Sequence, residues 1–524
     1  METEKPRIWT RRDAIKALSL SASALALSTK NSLAGVSESA TKKPNIVLIL
    51  SDDVGYGDLG CYGATGVHTP NIDKLSKQGL RFTDAHSDAA TCTPSRYAIM
   101  TGEYAWRKEG AYILPGDAAL LIDPAKPTLP STLKKAGYAT GCVGKWHLGL
   151  GNGNIDWNGD IKPGPCEVGF DYSFIIPATA DRVPCVYVEN HRVVGLDPKD
   201  PIVVSYKENI GTDPTGHDHP ELLKMTPSEG HDGTIVDGVS RIGFMSGGKS
   251  ARWVDEMMAA TLVRKANTFI EQHKDGPFFL YFATSDIHVP RVPNNQFVNT
   301  SACGIRCDAI EQLDWTVGQV MATLDKLGLT ENTLVIFSSD NGPVVDDGYA
   351  DGSVEHLNGH QPAGEFRGGK YSIYEGGTRM PFIAYWPGHI KPGESGALVG
   401  QIDLLASLGS LAGTPPQSSV VPDSTDQLPA LLGKSKAGRE FLVEESTVLA
   451  IRKGQWKLVD ANEVVRKGRA SSRDTGGTEF QLYDLSKDPG ESNNVAEANP
   501  DIVRDLSTKL KCIRGCTRDL TGDQ

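Results

Sequence analysis

Short apolar runs recur along this chain, each bounded by turn-forming residues. The first, Pro44-Asn45-Ile46-Val47-Leu48-Ile49-Leu50, predicts a strand buried on both faces of a parallel sheet, because its apolar residues do not alternate with polar ones. Ala139 to Val143, Phe278 to Ala283, Leu334 to Phe337 and Phe382 to Trp386 read the same way. Helical stretches lie between several of them, including Trp253 to His273 and Cys307 to Leu327. Thr69-Pro70 predicts a helix start with Thr as N-cap and Pro at the first position, and Gly79 is placed to end it. Strands alternating with helices predict an α/β layered fold with a mostly parallel sheet. The stretch 151–247, rich in Gly, Pro and Asp, predicts long loops over the carboxyl edge of that sheet, where binding residues gather. A Pro/Ser-rich segment, Gly413 to Asp423, leads to a smaller unit. There Val448 to Val459 and Phe480 to Leu485 predict antiparallel strands, followed by a helix near Asp501 to Lys511. No internal repeat is seen.

Length and composition narrow the class. A chain of 524 residues should hold more than one domain, since single cores stop growing near roughly 250–300 residues. A net charge of −12 lacks the basic footprint that general nucleic-acid binding needs, which sets that class aside. At the N-terminus, Arg11-Arg12 precedes a mildly apolar run from Ala17 to Leu27 and a small-x-small triplet, Ser32-Leu33-Ala34. This predicts a twin-arginine signal peptide, with a disordered basic tail as the plainer alternative. The run is too short for a bilayer span, which takes about 20 apolar residues. The expected organisation is a signal peptide over 1–34, a linker over 35–43, a catalytic domain over 44–412 and a small subdomain over 413–524. Export would place a soluble chain with no integral membrane segment in a bacterial periplasm or outside the cell.

Nine cysteines leave at least one thiol unpaired or modified in an exported protein. Cys303/Cys307 and Cys512/Cys516 are close enough in sequence to form disulfides, or could be free core thiols.

Two predicted strands run directly into acidic pairs, Asp52-Asp53 and Asp340-Asn341. Polar oxygens at the carboxyl ends of parallel strands converge on one edge, and three carboxylates with an amide suit a hard cation such as Ca²⁺ or Mg²⁺. Taken singly, either pair could equally cap a helix or turn. Cys92-Thr93-Pro94-Ser95-Arg96 places a cysteine where Pro94-Ser95 would begin a helix, whose N-terminus carries about half a positive charge to offer an anion. Alone, Cys92 would read as a buried free thiol.

Cys92-x-Pro94-x-Arg96, followed by Met100-Thr101-Gly102, resembles the Cys-x-Pro-x-Arg signature of the formylglycine-dependent (type I) sulfatases. The resemblance extends over most of residues 44–510. Gly144-Lys145-Trp146-His147-Leu148-Gly149, Ile287-His288-Val289-Pro290 and the segment from Gly368 through Lys370 to Pro381 are similar to later family motifs. Ala450 to Leu458 and Leu482-Tyr483-Asp484-Leu485 are similar to its small-domain strands. The resemblance implies an alkaline-phosphatase-like α/β sandwich with a small C-terminal α+β subdomain carrying an antiparallel sheet.

It further implies that Cys92 is oxidised to Cα-formylglycine by a formylglycine-generating maturation enzyme. Asp52, Asp53, Asp340, Asn341 and residue 92 would hold the metal, expected to be calcium with magnesium the other choice. Arg96, Lys145, His147, His288 and Lys370 would surround the sulfate, with His288 protonating the leaving alcohol and His147 serving as base. Thr179 stands where some relatives place a serine facing the sulfate. Arg182, Glu189, His191, Arg291 and Arg379 are expected rim residues for a sulfated carbohydrate, with surface or structural roles as the alternative. Relatives with the same core hydrolyse phosphonate monoesters or phosphodiesters, and a catalytically silent sulfated-glycan binder is the remaining alternative.

Overall fold

The computed structural model describes residues 43–462, 464–465 and 479–515. The chain divides into two units, Met1–Lys43 and Pro44–Gln524, and the architecture below is that of the second. The arginine pair, the small-residue triplet and Cys516 lie outside the described residues.

Ten strands make the principal sheet: β1 (Asn45–Ser51), β2 (Leu80–Phe82), β3 (Ala139–Lys145), β4 (Tyr172–Ile176), β5 (Val188–Glu189), β6 (Arg192–Val193), β7 (Phe278–Ala283), β8 (Thr333–Ser339), β9 (Phe382–Tyr385) and β10 (Gly393–Ser395). Their order in space is β10-β2-β9-β8-β1-β7-β3-β4-β5-β6. From β8 to β4 every pairing is parallel. β9 runs antiparallel to β8 and β2, and β5 and β6 turn back at the other edge. Every residue of β1, β7 and β8 is buried, as expected of strands covered on both faces.

The helices that matter for the site are α1 (Pro70–Gln78), α2 (Cys92–Thr101), α3 (Leu129–Lys135), α4 (Met258–Gln272), α5 (Gly304–Lys326), α6 (Leu404–Ala412) and α7 (Pro500–Gly515). Along α4, Leu262, Val263, Ala266, Phe269 and Ile270 are buried at helical spacing, and the helix packs on β3, β7 and α5. A second, antiparallel sheet has the order β11 (Leu442–Glu445), β12 (Leu449–Lys453), β13 (Trp456–Asp460) and β14 (Phe480–Asp484). Leu506 and Leu510 of α7 join Val443, Leu449, Ile451, Leu458 and Leu482 in its core.

Helix α2 ties the two sheets together. All ten of its residues are buried; Ala98 belongs to the small-sheet core, while Tyr97, Ile99 and Met100 belong to the main one.

Three local expectations differ from the structure. The helix containing Arg96 begins at Cys92 rather than at Pro94, with Thr91 as its extended N-cap. Thr69 stands at the N-cap of α1 but does not cap it; its hydroxyl accepts from Gly60 N and donates to Asp73. The stretch 151–247 is not all loop, because it supplies β4, β5 and β6 and two further two-stranded ribbons. Strands of two to five residues are too short to display a period among so many Gly and Pro.

A buried ion network joins the small sheet to the main one. Lys457 Nζ lies 3.0 Å from Glu375, 3.0 Å from Glu444 and 3.4 Å from Glu491. Arg452 reaches Glu375 at 3.0 Å and Asp84 at 3.2 Å, and His86 sits between Asp84 and Glu444 at 2.9 and 2.7 Å. Burial raises the Glu375 carboxyl, but Arg452 and Lys457 outweigh it and hold the group well below its ordinary 4.5. Burial likewise opposes a charge on His86, yet Glu375 and Glu444 keep the imidazolium above its ordinary 6.5. The depressed carboxyl contributes stability that is lost as pH falls below about 4.5. The raised imidazole contributes stability that is present below 6.5 and lost as pH rises through its folded value. Thermal unfolding against pH should therefore fall off on both sides. Glu375→Gln should cost about 3–5 kcal/mol, because it removes the one carboxylate that both buried cations share; an unchanged melting temperature would refute the network's role.

Candidate active site

The site follows from strand order. β1 and β8 are parallel neighbours with Ser51 opposite Ser339, so the residues after each strand emerge side by side. They are Asp52-Asp53 and Asp340-Asn341, all four buried completely. Asp53 N donates to Asp340 Oδ1 at 3.3 Å, and Asn341 Nδ2 donates to Asp53 Oδ1 at 2.7 Å. Asp53 has a left-handed φ of 61°, which turns its carboxylate back toward the pair.

Three cations meet the three carboxylates. Lys145, at the end of β3, donates to Asp52 at 2.6 and 2.8 Å. Arg96, one turn into α2, holds Asp340 at 2.8 and 2.9 Å. Lys370, on the loop before β9, reaches Asp53 at 2.9 Å. Burial pushes the Asp52 carboxyl up to about 8, with Lys145 pulling down and Asp340 and Asp53 repelling. Asp53 stays below its ordinary value because Lys370 and Lys145 outweigh burial. Negative charge is thus crowded at this edge even with the cations in place.

Gly144 makes the placement of Lys145 possible. It has φ 106° and pairs with Ala283 of β7, whose carbonyl oxygen would lie 1.7 Å from any Cβ added there.

Cys92 lies at the N-terminus of α2, buried, and burial raises its thiol above the ordinary value although Lys145 and Lys370 oppose it. An unmodified Cys92 is therefore a neutral thiol and a poor nucleophile. His147 is held far below its ordinary value by burial, Lys145 and Arg182, so it is neutral. Its Nε2 lies 2.9 Å from Leu114 O and must carry the proton to donate there. Nδ1 is buried without a hydrogen-bond partner, which leaves a free lone pair. His288 follows β7; its Nδ1 lies 2.7 Å from Val289 O and its Nε2 is 3.8 Å from Asp53 Oδ2.

The oxygens fit a hard divalent cation. Asn341 Oδ1 is buried with no hydrogen-bond partner, and Asp52, Asp53 and His288 each offer a ligand atom within 4.8 Å of the others. Asp340 turns one oxygen to Arg96 and the other to Asp53 N.

Of the five expected rim residues, Arg182 reaches the site, where it meets Thr179. Arg182 donates to Thr179 Oγ1 at 2.6 Å and to Asp181 at 2.9 Å, and Asp181 Oδ1 lies 4.0 Å from His288 Nδ1. The other four are engaged elsewhere. Glu189 accepts from Tyr172 and Lys265, both at 2.7 Å, and His191 pairs with Glu167. Arg291 spends its guanidinium on Val344 O, Val345 O, Asp351 and Ser353. Arg379 is held by Thr83 O and Glu375. Each of these four is thus held by a partner within the fold.

Sequence reasoning missed four residues here. Asp181 and His231 (3.1 Å apart) back His288, while Asp347 and Tyr371 back Lys370. Tyr371 adjoins a recognised lysine, and Asp346-Asp347 is a further acidic pair after β8, so both were findable. His231 sits in an irregular stretch with no local signal. Cys303 and Cys307 form a disulfide.

A family model described as Sulfatase matches residues 44–414. The chain belongs to the sulfatase family. This sulfatase is 53% identical to an N-acetylgalactosamine-6-O-sulfatase of Bacteroides thetaiotaomicron, over 90% of this chain and 94% of the relative. It is 34% identical to human arylsulfatase A, over 89% of this chain and 86% of the relative. A solved Bacteroides thetaiotaomicron structure, described within that organism's metabolism of multiple glycosaminoglycans, superposes with a TM-score of 0.87 at 52% identity. It covers 90% of this chain and 99% of the other. This sulfatase is an enzyme that hydrolyses sulfate esters, and its folded core carries the family's α/β architecture. Among the described residues no helix is long and apolar enough to cross a membrane.

Gly144→Ala should displace Lys145 from Asp52 and lower both melting temperature and sulfate release. A variant with wild-type values of both would show that β3 and β7 can part without cost.

Proposed function

We propose that this sulfatase removes a 6-O-sulfate from N-acetylgalactosamine-type sugars of sulfated glycans, using a formylglycine made at Cys92 and a divalent cation. The positive charge that Lys145, Lys370 and Arg96 bring to Cys92, with His147 and His288 in the field of the same Lys145, carries the chemistry. The choice of sugar rests on the 53% identity to the N-acetylgalactosamine-6-O-sulfatase. Asp52, Asp53, Asp340, Asn341 and residue 92 would hold the cation, a hard ion by its oxygen donors, taken as calcium from the family resemblance with magnesium the other choice. Bound there, the cation would offset the negative charge of the ester oxygens. Oxidised to the aldehyde, residue 92 supplies a hydrate with one hydroxyl to attack sulfur and a second through which sulfate can be expelled.

The chain's other residues bind and move protons. Arg96, Lys145 and Lys370 place fixed positive charge where negative charge shifts in the transition state. His147 Nδ1, with its free lone pair, accepts the proton of the second hydroxyl. His288 has its proton on Nδ1, and burial, Lys370 and Lys145 hold it well below its ordinary value. Nε2 is therefore the nitrogen that takes up a further proton once an anionic ester offsets the lysines, and it delivers that proton to the leaving alcohol. Thr179 and Arg182 line the sugar side. Export through the twin-arginine machinery, after maturation of Cys92, is part of the same reading.

Sulfate release should be measured on singly sulfated sugars with protein co-produced with a formylglycine-generating enzyme. Cleavage of N-acetylgalactosamine 6-sulfate, absent in Cys92→Ala, is expected; cleavage confined to glucosamine or uronate sulfates would sink the sugar assignment. His288→Ala should lose about 10²–10⁴-fold on sugar sulfates and far less on nitrophenyl sulfate, whose leaving group needs no acid. Equal losses on both would remove His288 from that role. Chelation of divalent cations should abolish turnover and lower the melting temperature, since the crowded carboxylates then keep only their side-chain cations as counter-charge; unaffected turnover would dismiss the cation.

A further inference from the structure

Lys370 stands between two carboxylates. Its ammonium is 2.9 Å from Asp53 Oδ2 and 2.7 Å from Asp347 Oδ2. Asp347 is itself held from the far side, because Tyr371 OH donates to its Oδ1 at 2.9 Å. Tyr371 keeps this position at a cost in backbone strain: φ is 76°, a left-handed value unfavourable for a bulky residue. Two backbone bonds fix it there, Tyr371 N to Ala90 O at 2.8 Å and Ser446 Oγ to Tyr371 O. Burial raises the phenol above its ordinary value, so it stays protonated and can only donate to Asp347. The Lys370 ammonium also lies 5.5 Å from the centre of the Tyr371 ring. Lys370 is almost wholly enclosed, whereas the Asp347 side chain is 16% exposed and lies on the outer side of the lysine.

Asp53 cannot serve two masters. A carboxylate that neutralises a buried ammonium at hydrogen-bond distance is poorly placed to ligate a cation, since the two positive charges repel. We propose that Asp347, held by Tyr371, is a positioning residue that draws Lys370 off Asp53 and so frees Asp53 to ligate the divalent cation. This rests on the functional reading above, in which Asp53 is a metal ligand. Asp347 takes no part in bond making. It supplies the second counter-ion that lets Lys370 stay charged and facing the sulfate when Asp53 is committed elsewhere.

Calcium binding to the full chain, read by calorimetry, tests the inference apart from turnover. Asp347→Asn should weaken calcium affinity by about ten- to hundred-fold, the span of one charge-assisted hydrogen bond, and Asp347→Glu should recover most of it. Tyr371→Phe, which removes one hydroxyl and keeps the ring, should weaken it by about three-fold and serves if Asp347→Asn folds poorly. A double-mutant cycle separates positioning from simple attraction between Asp347 and the cation. In a Lys370→Met background the Asp347→Asn effect should vanish, whereas direct attraction would leave it intact and overturn the proposal. Calcium uptake that Asp347→Asn leaves within two-fold of the unmutated protein would overturn it as well. No uptake by the unmutated protein would overturn the functional reading and this inference with it.

Discussion

Three carboxylates buried side by side would not survive folding unless cations were brought to meet them. Most of the architecture around the site serves that constraint. Asp52, Asp53 and Asp340 leave the parallel strands β1 and β8 at the same level, and each is answered by a cation from a different element. Lys145 comes from the end of β3, Arg96 from α2 and Lys370 from a loop some 220 residues later in sequence than Lys145. Because the pairs are enclosed, their attraction is little screened by salt, and the loss of any one partner would leave a charge uncompensated.

The same arrangement prepares the chemistry. Cations that neutralise carboxylates in the folded protein are the groups an anionic ester needs around it. Crowded oxygens with an unpartnered Asn341 Oδ1 among them are what a hard cation needs. The two histidines are kept neutral by enclosure and by neighbouring positive charge, and each has one nitrogen committed to a backbone carbonyl. Their tautomers are thereby fixed, which leaves Nδ1 of His147 and Nε2 of His288 for proton transfer. The position of Cys92 depends in turn on α2 being gripped by both hydrophobic cores, so the small sheet contributes to the site without placing a residue in it.

The buried ion network of Glu375, Arg452 and Lys457 has the same character. It adds directed charge pairs beside the apolar contact that Ile373 and Tyr374 make with Ala450, Val459 and Tyr483 of the small sheet. Such pairs are valued for the geometry they enforce more than for net stability.

The chain's own pattern determined a good deal. Unbroken apolar runs ending in Asp52-Asp53 and Asp340-Asn341 announced parallel strands with a polar edge, since full burial leaves no room for alternation. The spacing Cys92-x-Pro94-x-Arg96 and the segments around Lys145, His288 and Lys370 identified the family, because local motifs survive as contiguous residues. Boundaries were less legible: α2 starts at Cys92 because Thr91 is already extended, and Pro94 falls inside the first turn rather than opening it. The short strands among 172–193 were hidden, because two to five residues show no period. What only the tertiary structure decided is which polar groups are free. Glu189, His191, Arg291 and Arg379 looked no different in sequence from Arg182, yet partners elsewhere along the chain hold them away from the cluster that Arg182 joins through Thr179 and Asp181. Asp181, His231, Asp347 and Tyr371 gained their places by contact with His288 and Lys370. Composition and spacing set which side chains exist and which edge they leave from; pairing between remote segments sets which remain available for chemistry.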